Sequence, residues 1–348
     1  MNTSHIDPPA VVPATAGRGA PAAVPRAPRP GAGAARRLFA VREAGVLAAL
    51  VVLCVALSFA SPYFFTLRNI FNVLQGMSTI GIMAIGMTIV LVAGGLDLSV
   101  GSILAVGAVL TARLMTYGGV NPWLAVLGGL GAGLAFGLVN GVLVTRAGIV
   151  PFIATLGTLS VGRGLTFLLA SGGAGTVASN VPMRDPGVGF LGAGYIGPVP
   201  VPVVLMLVLV ALAALFLRHT VLGRQIYAVG SNPRAARLSG VAVGRVQLFT
   251  YVVTGVLSAL AGVVSAGLLA TASTNAGEGI ELDVIAAAVI GGTSLQGGEG
   301  SVVGTLFGAA IMAVVRNAFV LLGLPLHYQT MIIGAVILLA VGLDRRRR

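Results

Sequence analysis

The chain is a series of apolar runs, each close to the length of a bilayer crossing, separated by short polar or glycine-rich breaks. About 20 apolar residues cover the ~30 Å hydrocarbon core as a helix. In lipid the backbone must satisfy its own polar groups, which leaves helices or closed barrels. The runs cover 45–60, 73–93, 98–114, 123–144, 150–170, 200–217, 248–270, 302–322 and 328–343, and 284–295 is too short to cross alone and reads as a half-span. The expected fold is an all-α polytopic membrane protein with about ten transmembrane helices. Composition agrees, because charged residues are 9% of the chain and a soluble domain carries about 25%.

Charge excludes several functions. The net charge is +12, and every one of the 21 basic residues is Arg. Without Lys there is no Schiff base and no Walker A motif, so the chain cannot hydrolyse ATP by that route. A basic soluble protein would suggest nucleic acid, but here the arginines lie in tails and loops, and topology explains them without it. The single Cys54 lies in an apolar run, and His5, His219 and His327 have no metal-ligand spacing. Residues 1–41 are Pro- and Ala-rich and read as a disordered basic cytoplasmic tail without a signal peptide. The membrane domain is expected over 42–344, with a basic C-terminus at 345–348. Ten crossings place both termini, Arg146, the 218–246 loop and the last arginines on one side, which the positive-inside rule makes cytoplasmic.

Residues 86–111 interrupt an apolar run with one acid, Asp97, preceded by Gly94 and Gly95 and followed by Ser99, Gly101 and Ser102. An Asp at a helix centre in lipid costs roughly 2.5–3.5 kcal/mol. Asp97 therefore belongs at a membrane surface, in a helix break or beside a polar pathway, and a surface capping carboxylate is expected over contact with a solute. Leu96-Asp97-Leu98 resembles Leu282-Asp283-Val284, and Val139-Asn140 resembles Arg316-Asn317. The first members fall on the cytoplasmic side of the count and the second on the other, the pattern of an inverted repeat. Gly129, Gly133, Gly137 and Gly141 recur every four residues, as do Gly300, Gly304 and Gly308, and are read as helix-packing faces.

No catalytic set is present, so the polar residues inside apolar runs carry the functional expectation. These are Ser99, Asn140, Thr155, Thr158, Ser160, Arg163, Arg316 and Asn317. Helix-to-helix hydrogen bonding is the plain role for the hydroxyls and amides, and Arg316 is expected to snorkel. As a set, hydroxyls and amides with few charges suit a neutral, hydroxylated solute lining a pathway through Ser99, Asn140, Thr155, Thr158, Arg163 and Asn317. In the basic loop, Ser231 or Asn232 can cap a short helix from Pro233 to Ser239, and Gly240 can end it. That helix reads as an interfacial segment on anionic lipid or as a docking element for a cytoplasmic partner.

Four stretches, 94–102, 150–165, 228–241 and 281–309, resemble in order the membrane permease of ribose-type ABC sugar importers. The resemblance covers roughly residues 42–344 and lies within the wider superfamily of branched-chain amino-acid permeases. It implies a homodimer in a bacterial inner membrane. A cytoplasmic ATPase holding ATP and Mg would drive it, and a periplasmic or lipid-anchored binding protein would deliver a small sugar or polyol. The chain itself would bind no cofactor and would be a transport subunit, not an enzyme. The family's coupling helix corresponds to Asn232, Pro233, Arg234, Ala236, Arg237, Leu238 and Gly240, and Gly94, Gly95, Asp97 and Asp283 mark the structural motif. A permease for amino acids or an ion-coupled carrier is the alternative, with a membrane scaffold as a further one.

Overall fold

The computed structural model describes residues 32–171, 179–325, 328, 331, 332, 334 and 335, with side chains from residue 44 onward. The expected N-terminal tail, most of the last apolar run at 328–343 and the C-terminal arginines lie outside the described residues. The helices are α1 (Ala32–Ala60), α2 (Leu67–Val92), α3 (Val100–Thr116), α4 (Pro122–Thr145), α5 (Pro151–Ala170) and α6 (Pro186–Ala193). They continue with α7 (Val201–His219), α8 (Val221–Ser231), α9 (Pro233–Leu238), α10 (Val243–Leu269), α11 (Ile280–Ile290) and α12 (Val302–Leu321). Among the described residues strand structure is limited to two short antiparallel pairs, β1 (Asn180–Pro182) with β4 (Thr271–Ser273) and β2 (Tyr195–Ile196) with β3 (Val199–Pro200).

Helix starts are legible in local chemistry. Thr66 Oγ1 accepts from the Asn69 amide, Asn121 Oδ1 from Trp123, and Ser301 Oγ from Gly304. Pro122 and Pro151 open α4 and α5, where a missing N–H costs nothing. Among the described residues six helices are long and apolar enough to cross a membrane: α2, α4, α5, α7, α10 and α12. The apolar parts of α1 and α3 are shorter. The expected half-span is α11, whose 11 residues rise about 16 Å, half of the hydrocarbon thickness.

Helix α2 is the buried axis, with every residue from Ile80 to Val92 out of contact with the surroundings. Around it the outward faces of α4, α5 and α7 expose Leu127, Ile153, Leu168, Leu212 and other large apolar side chains. Such a surface is unfavourable in water and natural against lipid. The α4 glycine face packs as expected, and Gly304 and Gly308 do so on α12, whereas Gly300 lies before that helix. A β-carbon on Gly133 would overlap the Gly255 carbonyl of α10, one on Gly137 the Tyr251 carbonyl, and one on Gly308 the Ala287 carbonyl of α11. Helix directions follow from these contacts. Thr88 bonds Thr305 and Asn69 bonds Asn317, so α12 runs antiparallel to α2. Gly86 meets Thr254 and Gly95 meets Tyr251, near the α9 end of α10, so α10 also opposes α2. Gly133, Gly137 and Gly141 meet Gly255, Tyr251 and Leu248 in reverse order, so α4 opposes α10 and is antiparallel to α12.

Three expectations change. The 218–246 loop is mostly helix, since α8 precedes α9 and α10 starts at Val243, not Leu248. Leu222, Ile226 and Val229 supply the i, i+4, i+7 apolar spacing for α8, and Thr220 Oγ1 caps it by accepting from Gly223 N. The glycine-rich connection after α5 contains β1, α6 and β2. Asp97 is fully buried, not at a surface, because its hydrogen-bond partners come from within the bundle. The glycine face yields a direct test. Gly133→Leu should cost about 1–3 kcal/mol or more by overpacking, whereas Gly131→Leu, with open space around it, should leave thermal unfolding and membrane abundance unchanged.

Candidate functional site

Helix α2 ends in a Schellman turn. Gly94, at φ +79°, occupies the left-handed position, Gly94 N donates to Leu91 O and Gly95 N to Val90 O, both at 2.8 Å. The chain then turns through Asp97, whose Oδ1 accepts from Ser99 N at 2.9 Å and from Ser99 Oγ at 2.6 Å. This Asx turn starts α3. A directed chain of bonds follows: Thr158 Oγ1 donates to Asn140 Oδ1 at 2.6 Å, and Asn140 Nδ2 donates to Ser99 Oγ at 2.8 Å. Asn140 Nδ2 also approaches both Asp97 oxygens at 3.4 Å. Thr155 Oγ1 donates to Pro151 O at 2.8 Å and reaches Leu96 O at 3.5 Å. The polar groups of α4, α5 and the α2–α3 break thus form one buried seam around a single carboxylate.

Arg163, one to two turns further along α5, donates from Nη1 to Ala276 O at 2.7 Å and to Thr274 O at 3.5 Å. Its electrostatic neighbours are Glu281 and Glu278. Gly101 of α3 abuts the Gly277 carbonyl of the same connection. The starts of α3 and α11, two short helices, therefore meet beside Arg163. Asn317 lies elsewhere: its amide exchanges hydrogen bonds of 3.0 and 2.7 Å with Asn69, binding α12 to the start of α2. Of the six expected pathway residues, four share the seam, Arg163 adjoins it, and Asn317 is committed to a helix contact. Ser160 donates to Leu156 O on its own helix.

Arg316 does not snorkel. It forms an ion pair with Asp283, itself 1% exposed in the first turn of α11. The sequence named both residues but not their contact, which joins positions 33 apart. In the sequence Asp283 pairs with Asp97 and Arg316-Asn317 with Asn140. In space Asp97 meets Asn140, whereas Asp283 meets Arg316 and not Asn317, the residue aligned with Asn140, which bonds Asn69 instead. Asn140 is five residues before the end of α4, and Arg316 five before the end of α12.

The short helix α9 stands at the end of the bundle where α2 terminates and α10 begins. Asn232 Oδ1 accepts from Arg234 N at 3.1 Å and Ala235 N at 3.0 Å, Pro233 takes the first position, and Gly240 at φ +83° ends the turn. Ala236 faces inward at 5% exposure, while Leu238 is 91% exposed between Arg234, Arg237 and Ser239, all exposed. In α8 the Tyr227 hydroxyl donates to Gly300 O at 2.9 Å, and burial pushes this phenol above its ordinary value, keeping the donor proton.

Apolar helices of membrane length packed around buried polar seams define an all-α, multi-pass membrane protein. The chain belongs to the family described as branched-chain amino acid transport system / permease component, whose model matches residues 69–341. It is 42% identical over 302 residues to the ribose import permease protein RbsC of Escherichia coli strain K12, covering 87% of this chain and 93% of that one. It is 41% identical over 311 residues to RbsC of Bacillus subtilis, covering 88% and 94%. It is 37% identical over 308 residues to the L-arabinose ABC transporter permease protein AraH of Azospirillum brasilense, covering 88% and 89%. No solved structure matches the chain. The chain is a permease subunit, a transport component and not an enzyme.

The Asp283–Arg316 pair can be tested by stability. Arg316→Leu leaves a buried carboxylate alone and should cost on the order of 3 kcal/mol. Adding Asp283→Asn removes that charge and should recover most of the loss in a thermal unfolding assay of detergent-solubilised protein.

Proposed function

We propose that the chain is the transmembrane subunit of an ATP-driven importer of a small neutral sugar. The observation that carries this reading is α9, a capped, rigid helix outside the spans whose Arg234, Arg237 and nearly fully exposed Leu238 have the form of a docking knob. A lone exposed apolar residue is ordinary, but here it is flanked by two cations on a helix held by a side-chain cap and a left-handed glycine. The chain has no Walker A motif, so a separate cytoplasmic ATPase supplies the hydrolysis, with its own ATP and Mg, and α9 is where it docks. The α9 side is cytoplasmic, in line with Arg218, Arg224, Arg234, Arg237 and Arg245 clustering there.

The substrate class follows from the relatives and from the seam. Two relatives are named for ribose import and one for L-arabinose. Hydroxyl and amide groups dominate the seam of Ser99, Asn140, Thr155 and Thr158, with Arg163 and Glu281 beside it. Such groups exchange hydrogen bonds with a polyol without binding it tightly, and an extracytoplasmic binding protein provides the selection. The working unit is a pair of permease subunits in the bacterial inner membrane, opening alternately to either side.

We read the topology as about ten crossings built from an inverted repeat. Support comes from the two acid–partner contacts, each placed alike in its half, on α4 and α12 that run in opposite directions. The test is uptake of labelled D-ribose into proteoliposomes holding the permease and its ATPase and fed by the loaded binding protein. Arg237→Glu or Leu238→Asp should lower ATP-dependent uptake by about thirtyfold, the scale of ~2 kcal/mol for a hot-spot contact, at parental permease abundance. Parental uptake in both variants would remove the docking role of α9. Uptake that survives without the ATPase and collapses with an ionophore would point to an ion-coupled carrier.

A further inference from the structure

Three segments distant in sequence meet at the α9 end of the bundle, backbone against backbone at Gly230. Gly230, in the last turn of α8, packs so closely that a β-carbon would overlap the Val92 carbonyl and stand 2.5 Å from Gly298 N. Gly298 N donates to Val92 O at 2.8 Å, satisfying a carbonyl that the end of α2 leaves open. Gly297 and Gly298, both at positive φ (+86° and +77°), belong to the α11–α12 connection. A β-carbon on Gly297 would lie 3.0 Å from the Gly230 carbonyl and 3.0 Å from Gly94 Cα, and one on Gly298 would collide with Ser231. The Tyr227 hydroxyl, one turn earlier on α8, holds the same connection through Gly300 O at 2.9 Å.

We propose that Gly230, Gly297, Gly298 and Tyr227 form a mechanical joint that carries displacement of α9 into both halves of the transmembrane bundle. This rests on the docking role assigned to α9. Only Asn232 separates α8 from α9, so a push on α9 reaches Gly230 within one turn. At Gly230 the contacts are backbone to backbone, and close-packed backbone has no rotamer to yield, so displacement is passed on rather than absorbed. One contact leads to Val92 and Gly94, whose break positions Asp97 and the Ser99–Asn140–Thr158 seam. The other leads to the connection between α11 and α12, the helices that carry Asp283 and Arg316. At the joint α8, the helix directly preceding α9, touches the breaks of both acid-bearing units.

The experiment uses the full complex of permease, ATPase and binding protein in proteoliposomes with D-ribose as probe. It reads co-purification of the ATPase, ATP hydrolysis with and without loaded binding protein, and uptake. In Gly230→Ala and Gly298→Ala the ATPase should still co-purify and hydrolyse ATP, while stimulation by loaded binding protein and uptake are lost. Tyr227→Phe removes only a hydroxyl and should fold in every case. It should weaken the stimulation by about fivefold, the ~1 kcal/mol of one hydrogen bond. Parental stimulation and uptake in Tyr227→Phe together with either folded glycine variant would overturn the joint. If the glycine variants do not fold, Tyr227→Phe decides alone. The two readings fail separately. Loss of coupling in Arg237→Glu with none in the joint variants removes only the joint, and full coupling in Arg237→Glu removes the docking role and the joint with it.

Discussion

Close approach of helix backbones is the interaction on which this structure depends. In lipid, one apolar side chain gains nothing by leaving the hydrocarbon for another, so helices associate through dispersion contact and buried hydrogen bonds. Contact of that kind requires small residues at the crossing. The ladder Gly129, Gly133, Gly137 and Gly141 of α4 meets Gly107, Gly255, Tyr251 and Leu248, and Gly262 of α10 lies on the Leu104 carbonyl of α3. These crossings fix α3, α4 and α10 as one slab against α2. Thr254 Oγ1, donating to Gly86 O at 3.0 Å, joins the slab to the axis with a bond that only the glycine on α2 permits.

Once the slab is fixed, the acids can be buried. Asp97 needs its donors in place before the break is tolerable, and they come from the chain two residues on and from α4. Asp283 draws its partner from α12 instead and uses a cation. The two solutions differ in charge. Neutral donors surround Asp97, while Asp283 has a cation of its own. The two halves thus bury their acids by different means, one with neutral donors and one with a cation.

Much of this was legible in the sequence, and the limits have definite causes. The spans 123–144, 150–170 and 302–322 agree with α4, α5 and α12 to within a residue or so, because apolar length and Pro or Asn caps are local signals. The α9 cap was readable for the same reason: Asn232, Pro233 and Gly240 each act within four residues. Helix α8 is less legible because its 11 residues are too short for a crossing and lie between the arginines of a basic connection. The burial of Asp97 is not legible locally, because its cost in lipid is visible in sequence while part of its compensation, Asn140, lies 43 residues away. Arg316 failed in the same manner, since snorkelling needs only its own side chain and the ion pair needs the fold.

The glycines show where sequence reasoning divides. Periodic glycines declare a helix face without any knowledge of its partner, so the α4 ladder could be read directly. Gly230, Gly297 and Gly298 have no period, and in sequence they are ordinary turn residues. Their meaning appears only when α8, the end of α2 and the α11–α12 connection are seen to share one point. A turn that needed only conformational freedom would require positive φ at Gly297 and Gly298 and nothing at Gly230, which lies within a helix. Glycine inside a helix costs roughly 1 kcal/mol against Ala, so its presence in the last turn of α8 is accounted for by the contact it permits and not by the helix it weakens.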